Sequence, residues 1–185
     1  MVVSVKDARP SGSLRLAILG NSGSGKSTLA RWLAERSGAA LLDLDSVAWE
    51  PGQIAVPRDA AAAQADVRAF CAAHEHWIVE GCYASLIEVA LAQGASLLFM
   101  NPGRAQCEAN CRARPWESHK YDSREEQDQH LTFLLAWVAD YYVRDGEMSL
   151  AGHRACFDAF AGPKTELNAQ PLLDPPSAQV LAWLD

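Results

Sequence analysis

Short, largely apolar runs alternate along this chain with longer stretches in which apolar residues recur three or four apart. The first rhythm is that of buried strands, the second that of helices with one covered face. Leu14 to Leu19, Ala40-Leu41-Leu42-Asp43-Leu44, Trp77-Ile78-Val79-Glu80 and Ser96 to Met100 read as strands, and Leu172-Leu173 as a fifth, short one. Helices are expected through Thr28 to Glu35 and on to about Ser37, from Arg58-Asp59 to about Ala73, from Tyr83 to Gln93, from Arg104 to about Arg114, from Gln129 to Arg144 and from Ser177 to Leu184. Gly38, Gly81, Gly94, Asn101-Pro102-Gly103 and Pro115 punctuate them. Residues 1–13 read as a polar lead-in, and Pro51, Gly52 and Pro57 mark a loop. The polar segment around residues 112–127 reads as lid-like. In the Gln129–Arg144 helix, Phe133, Trp137 and Tyr141 recur at i, i+4, with His130 and Leu134 one step around, a spacing that predicts a core-facing stripe. His153 follows a turn at Gly152 and is either an idle loop histidine or a catalytic one.

Strands alternating with helices specify a parallel sheet covered on both faces. Right-handed crossovers then gather the loops that follow the strands along one carboxyl edge, so charged residues just beyond strand ends share a site. With neither repeat nor linker, residues 1–185 read as a single domain.

Composition narrows the class. Hydrophobic residues make up 49% and charged residues 21%, as in ordinary globular proteins. A formal net charge of −7 argues against a sequence-independent grip on nucleic acid, which needs a basic footprint. No apolar run reaches membrane-spanning length, and Met1-Val2-Val3-Ser4-Val5-Lys6-Asp7 lacks the apolar stretch of a signal peptide. Five cysteines without a framework pattern suit a reducing compartment, so a cytoplasmic location is expected. Cys107 and Cys111, with His119 nearby, are either two half-buried thiols on one helix face or part of a metal site.

The most specific signal is Gly20-Asn21-Ser22-Gly23-Ser24-Gly25-Lys26-Ser27, which fits G-x-x-x-x-G-K-[ST], the P-loop or Walker A motif, between a strand and a helix that continues through Thr28. Glycines let the backbone wrap around an anion. Successive N–H groups then form an anion nest at a helix N-terminus. Lys26 is expected to reach the terminal phosphates of a nucleoside triphosphate and Ser27 to ligate Mg²⁺.

Other candidates lie where the topology predicts a site. Asp43 and Asp45 flank Leu44 at the end of the second strand, and alternation predicts that their carboxylates point to the same side. One can serve Mg²⁺ and the other can take a proton from a substrate hydroxyl; the alternative is that they cap the following turn. Glu80 ends an apolar strand, either as a second acid for Mg²⁺ or as a buried residue satisfied by the backbone. Arg112, Arg114 and Lys120 can meet the charge of a transferring phosphoryl group from a segment that closes over it, or lie in a solvated loop. Arg104 is a weaker candidate of that kind, and Arg58 either meets an anionic substrate or decorates a helix start.

Together, Leu16 to Leu33, Leu42-Asp43-Leu44-Asp45-Ser46-Val47-Ala48-Trp49 and Trp77-Ile78-Val79-Glu80-Gly81-Cys82-Tyr83 resemble the adenylate-kinase-related P-loop proteins known as topology modulation or shikimate-kinase-like proteins. The likeness covers the first half of the chain in motif and the second half in layout. It implies a three-layer P-loop NTPase fold, a five-stranded parallel sheet of order 2-3-1-4-5, with ATP and Mg²⁺ as cofactors. It also implies phosphoryl transfer to a small-molecule acceptor, with Asp43 and Asp45 serving Mg²⁺ and the acceptor hydroxyl. Glu80-Gly81-Cys82 stands where shikimate kinases carry a glycine triplet, and the Asp-Gly-aromatic-Pro-Arg run of adenylate kinases is missing, so neither shikimate nor AMP is supported as acceptor. A kinase is the leading expectation. The rival is a regulatory ATPase without an acceptor, for which Asp45 is dispensable. The Asn-Lys-x-Asp of GTPases and the Leu-Ser-Gly-Gly of ABC ATPases do not occur.

Overall fold

Alternate residues of the first strand face opposite ways, and the fold grows from that alternation. The computed structural model describes residues 13–50, 56–116 and 122–184. In β1 (Arg15–Gly20), Leu16 and Ile18 pack on one side of the sheet while Ala17 and Leu19 pack on the other, all fully buried. Such a strand must be covered on both faces. Its neighbours are β3 (Trp77–Gly81) and β4 (Ser96–Met100), flanked by β2 (Ala40–Asp43) and β5 (Lys164–Leu167). All pairings are parallel and the order is β2-β3-β1-β4-β5, the order expected.

One face is covered by α1 (Lys26–Ser37), through Leu29, Ala30 and Leu33, and by α8 (Ala178–Leu181), through Val180. The other is covered by α3 (Ala60–Ala73), α4 (Ala84–Leu91) and α7 (Leu150–Ala159), which bring Val67, Ile87 and Cys156 against Trp77, Val79 and Phe99. A third cluster joins α5 (Arg104–Arg112) to α6 (Arg124–Asp140): Cys107 and Cys111 pack against Val138, with Leu131, Leu134 and Leu135 around them.

Several expectations need correction. Leu172-Leu173 is not a strand; Leu173 makes only an isolated bridge to Pro176. The fifth strand is β5, an edge strand in which Leu167 alone is fully buried, so no apolar run announces it. Helix α6 starts at Arg124 rather than Gln129, because the Ser123 side chain caps it by accepting from the Glu126 N–H at 3.1 Å. Its buried side follows the expected stripe only in part: Tyr141 is fully buried and Trp137 half-buried, but Phe133 is 71% exposed, and Leu131, Leu134, Leu135 and Val138 pack against α5. Gly152 is not a turn but lies inside α7, where a Cβ would sit 2.3 Å from the Gly146 carbonyl oxygen. The helix needs glycine there for close approach. The chain also turns into a short helix, α2 (Asp45–Ala48), directly after β2. Among the described residues no helix is long and apolar enough to cross a membrane.

Candidate functional site

Residues 21–25 connect β1 to α1, and two glycines shape the turn. Gly23 and Gly25 have φ of 76° and 90°, in the left-handed region that other residues rarely adopt. Gly25 is the N-cap of α1 and supplies no side chain to its first-turn N–H groups, and no acid lies in that turn. The positive end of the helix is therefore without a side-chain cap or a neutralising acid in its first turn. Ser24 Oγ is buried without a hydrogen-bond partner. Neighbouring helices hold the loop from outside. Asn21 Nδ2 donates to the Val138 carbonyl of α6 at 3.1 Å, and Asn110 Nδ2 of α5 donates to the Gly23 carbonyl at 2.8 Å. Asn110 Nδ2 and Gln106 Nε2 also reach Gln170 Oε1, at 3.0 and 3.3 Å.

Lys26 and Glu80 meet beneath the loop, with Nζ and Oε2 3.9 Å apart. Glu80 belongs to β3, between Ile18 of β1 and Asp43 of β2, at the centre of the carboxyl edge. It is almost wholly buried, and its Oε2 lacks a hydrogen-bond partner. Burial raises its pKa, and the charges of Asp43 and Asp45 push the same way. The Lys26 ammonium and the Ser27 hydroxyl offset part of that rise. Burial acts to lower the pKa of Lys26, but Glu80 first, then Cys82 and Asp45, hold it above its ordinary value. Ser27, Lys26, Glu80, Asp43 and Asp45 thus form one electrostatic neighbourhood, and the charge of Arg114 also reaches Lys26.

The two aspartates do not extend side by side. Leu44 is already helical (φ −65°, ψ −20°), so strand alternation stops at Asp43. Asp43 Oδ1 accepts from the Asp45 N–H at 2.9 Å and closes the turn, which is the capping alternative. Asp45 is exposed, and its Oδ1 accepts from the Tyr83 hydroxyl at 2.7 Å.

The arginines divide. Arg112 is an exposed member of an i, i+4 pair with Glu108 at 3.4 Å, and Arg104 binds the same carboxylate at 2.6 Å. Arg112 and Arg114 line a cavity of about 20 Å³ together with Arg124, Asp128 and His130. Lys120 and His119 lie outside the described residues. Arg58 is bound to Asp66 at 2.7 Å and to the Val47 carbonyl at 3.1 Å, so its guanidinium ties α2 to α3. Cys107 and Cys111 are core thiols, and among the described residues no three His, Cys, Asp or Glu gather as a metal site.

His153 is fully buried in α7. Its Nε2 lies 2.8 Å from the Cys82 carbonyl, which can only accept, so Nε2 carries the proton. Nδ1 then accepts from the Tyr141 hydroxyl at 2.8 Å. Burial pushes its pKa down to about 4. The ring is a neutral brace for the turn after β3 rather than a proton shuttle. Trp49, Tyr83, Asn110 and Gln170 complete the site, and sequence reasoning gave them no role. Tyr83 and Trp49 stood inside the motifs that carried the family likeness; Asn110 and Gln170 had no local signal.

No protein-family model matches this chain, and no curated protein matches it significantly. Solved structures do. A gluconokinase from Sinorhizobium meliloti 1021 is 16% identical, with 96% of this chain and 93% of that one aligned at a TM-score of 0.58. A sugar kinase from Janibacter sp. HTCC2649 is 14% identical, with 93% and 94% covered at 0.52. Shikimate kinase from Bacteroides thetaiotaomicron is 15% identical, with 92% and 94% covered at 0.50. At these identities the likeness is one of fold. The chain has the fold of small P-loop kinases, in keeping with the family resemblance of its motifs.

Proposed function

We propose that this protein is an ATP-dependent phosphotransferase that acts on a hydroxyl of a small molecule. The observation that carries this reading is the Lys26–Glu80 pair beside Ser27, set under an uncapped helix N-terminus and a loop of positive-φ glycines. The residues fit a triphosphate and its metal. Ser24 Oγ and Glu80 Oε2 are buried polar atoms without a hydrogen-bond partner, Glu80 Oε2 meeting only the Lys26 ammonium, and the first-turn N–H groups of α1 have no side-chain cap. Mg²⁺, when bound with ATP, would neutralise phosphate charge.

The protein's own groups do the rest. Residues 20–28 cradle the phosphate oxygens, with the first-turn amides of α1 as donors, and Lys26 stabilises the charge that develops as the phosphoryl group moves. Ser27, Glu80 and Asp43 would hold the metal, Ser27 through its hydroxyl. Asp45 orients the acceptor hydroxyl and takes its proton. Arg112, the last residue of α5, and Arg114 just beyond it supply cations to the transferring group. The kinase fold of the structural neighbours supports the reaction class.

ADP release from ATP·Mg²⁺ tests this reading, measured with and without nucleoside monophosphates, nucleosides, shikimate, gluconate and other sugar acids. Stimulation by one compound, and a loss of about a hundredfold or more in Lys26→Ala, is the expected outcome. Undiminished turnover in Lys26→Ala would sink it. Slow release that ignores every acceptor but vanishes in that variant points to the regulatory ATPase instead.

A further inference from the structure

Trp49 and Tyr83 meet beyond the carboxyl ends of β2 and β3, and they fix the direction of a short hydrogen-bond chain. The Trp49 indole Nε1–H donates to the Tyr83 hydroxyl oxygen at 2.7 Å. An indole N–H cannot accept, so the Tyr83 proton must point elsewhere. It points to Asp45 Oδ1, also at 2.7 Å. The two rings cross edge to face, with centroids 6.2 Å apart and planes at 72°, which holds the phenol in place. Burial, helped by the negative charge of Asp45, raises the Tyr83 pKa, so the phenol remains a donor.

The turn that carries Tyr83 is itself braced. His153 Nε2 holds the Cys82 carbonyl on one side, and Glu147 accepts from the Ser85 N–H at 2.8 Å on the other. Asp45 is exposed, yet its charge is felt at Lys26 and Glu80. One carboxylate oxygen is therefore engaged by a rigid donor, and the other has no hydrogen-bond partner among the described residues.

We propose that Tyr83 is a positioning residue for Asp45, with Trp49 setting the direction of its proton, so that the second Asp45 oxygen is presented to the acceptor hydroxyl. This rests on the reading of Asp45 as the group that takes the acceptor's proton. A carboxylate on a free rotor spends little time aligned with a reacting hydroxyl; one held by a short hydrogen bond is pre-oriented. Tyr83 does not touch the reacting atoms.

The test compares ADP release from ATP·Mg²⁺ in the wild type, Tyr83→Phe, Trp49→Phe, Asp45→Asn and the Tyr83→Phe/Asp45→Asn double variant. The acceptor is the panel compound that stimulates most, or water where none does. Tyr83→Phe is expected to lower kcat about tenfold with KM for ATP nearly unchanged, and Trp49→Phe to lower it less. The double variant should be no slower than Asp45→Asn alone, because the phenol acts only through that carboxylate. A Tyr83→Phe loss that adds fully to the Asp45→Asn loss would overturn the proposal, as would an unchanged kcat beside an impaired Asp45→Asn, with the kinase reading intact. Wild-type kcat in Asp45→Asn would remove the base role and the proposal with it. Should Tyr83→Phe not fold, Trp49→Phe decides, since it keeps the phenol and removes only its donor: an unchanged kcat overturns the proposal.

Discussion

His153 and Glu80 are buried titratable groups whose environments push stability in opposite directions with pH. The His153 pKa falls from 6.5 to about 4 on folding. The folded chain then binds fewer protons there than the unfolded one. Its contribution is fully present above pH 6.5 and is lost as pH drops toward 4, at up to about 1.4 kcal/mol per pH unit. Glu80 has the opposite sign: its raised pKa favours the folded state below the ordinary carboxylate range, and that contribution fades as pH rises through the folded value. In urea unfolding across pH 6.5 to 4, His153→Gln should show a shallower loss than the wild type. Parallel slopes would mean that His153 is not the source. Glu80 was visible in the sequence because a carboxylate at the end of an apolar run stands out. His153 was visible as a residue but not as a brace, because its partners, Tyr141 and Cys82, are brought to it only by the packing of three elements.

At the scale of elements, contiguous apolar stretches gave away β1, β3 and β4, because a strand buried on both faces has nowhere to put polar residues, and the Ala40–Leu42 run gave away β2 although it lies half-buried at the sheet edge. Edge position concealed β5, whose Lys164, Thr165 and Glu166 face outward or into polar contacts. The start of α6 was legible in principle: Ser123-Arg124-Glu125-Glu126 has the S-x-x-E form of a capping box, and Glu126 Oε2 does accept a backbone proton, from Asp122 at 2.8 Å. Helix α7 was hidden by Gly152, whose role depends on a neighbour outside its own helix. That role makes a signed prediction. Gly→Ala inside a helix ordinarily stabilises by about 0.5–1 kcal/mol. At Gly152 the new Cβ would approach the Gly146 carbonyl to 2.3 Å, so Gly152→Ala should destabilise, by about 1–3 kcal/mol. A higher urea midpoint in the variant would contradict the close approach.

Over the whole molecule, the P-loop is where the central sheet, the α5–α6 layer and the segment after β5 converge. Asn21 reaches α6, Gly23 is held by α5, and Gln170 lies against Gly25. Tightening this junction should therefore stabilise all three parts together. ATP·Mg²⁺ at about a hundred times its dissociation constant should add about 2.7 kcal/mol, seen as a rise in Tm in the wild type and as little or none in Lys26→Ala. Unchanged melting in the wild type would speak against nucleotide binding.

The chain of contacts from Trp49 through Tyr83 to Asp45 spans sequence separations of 34 and 38 residues, whereas the Gly20–Ser27 loop is one uninterrupted stretch. The two halves of the site are thus encoded in different places. A lineage can change what sits beside Asp45 by substitutions around Trp49 and Tyr83 without disturbing the loop, and drift in the loop leaves the other half intact. On the proposed phosphotransferase reading, descendants of such a chain can diverge in acceptor while keeping one common way of holding the donor.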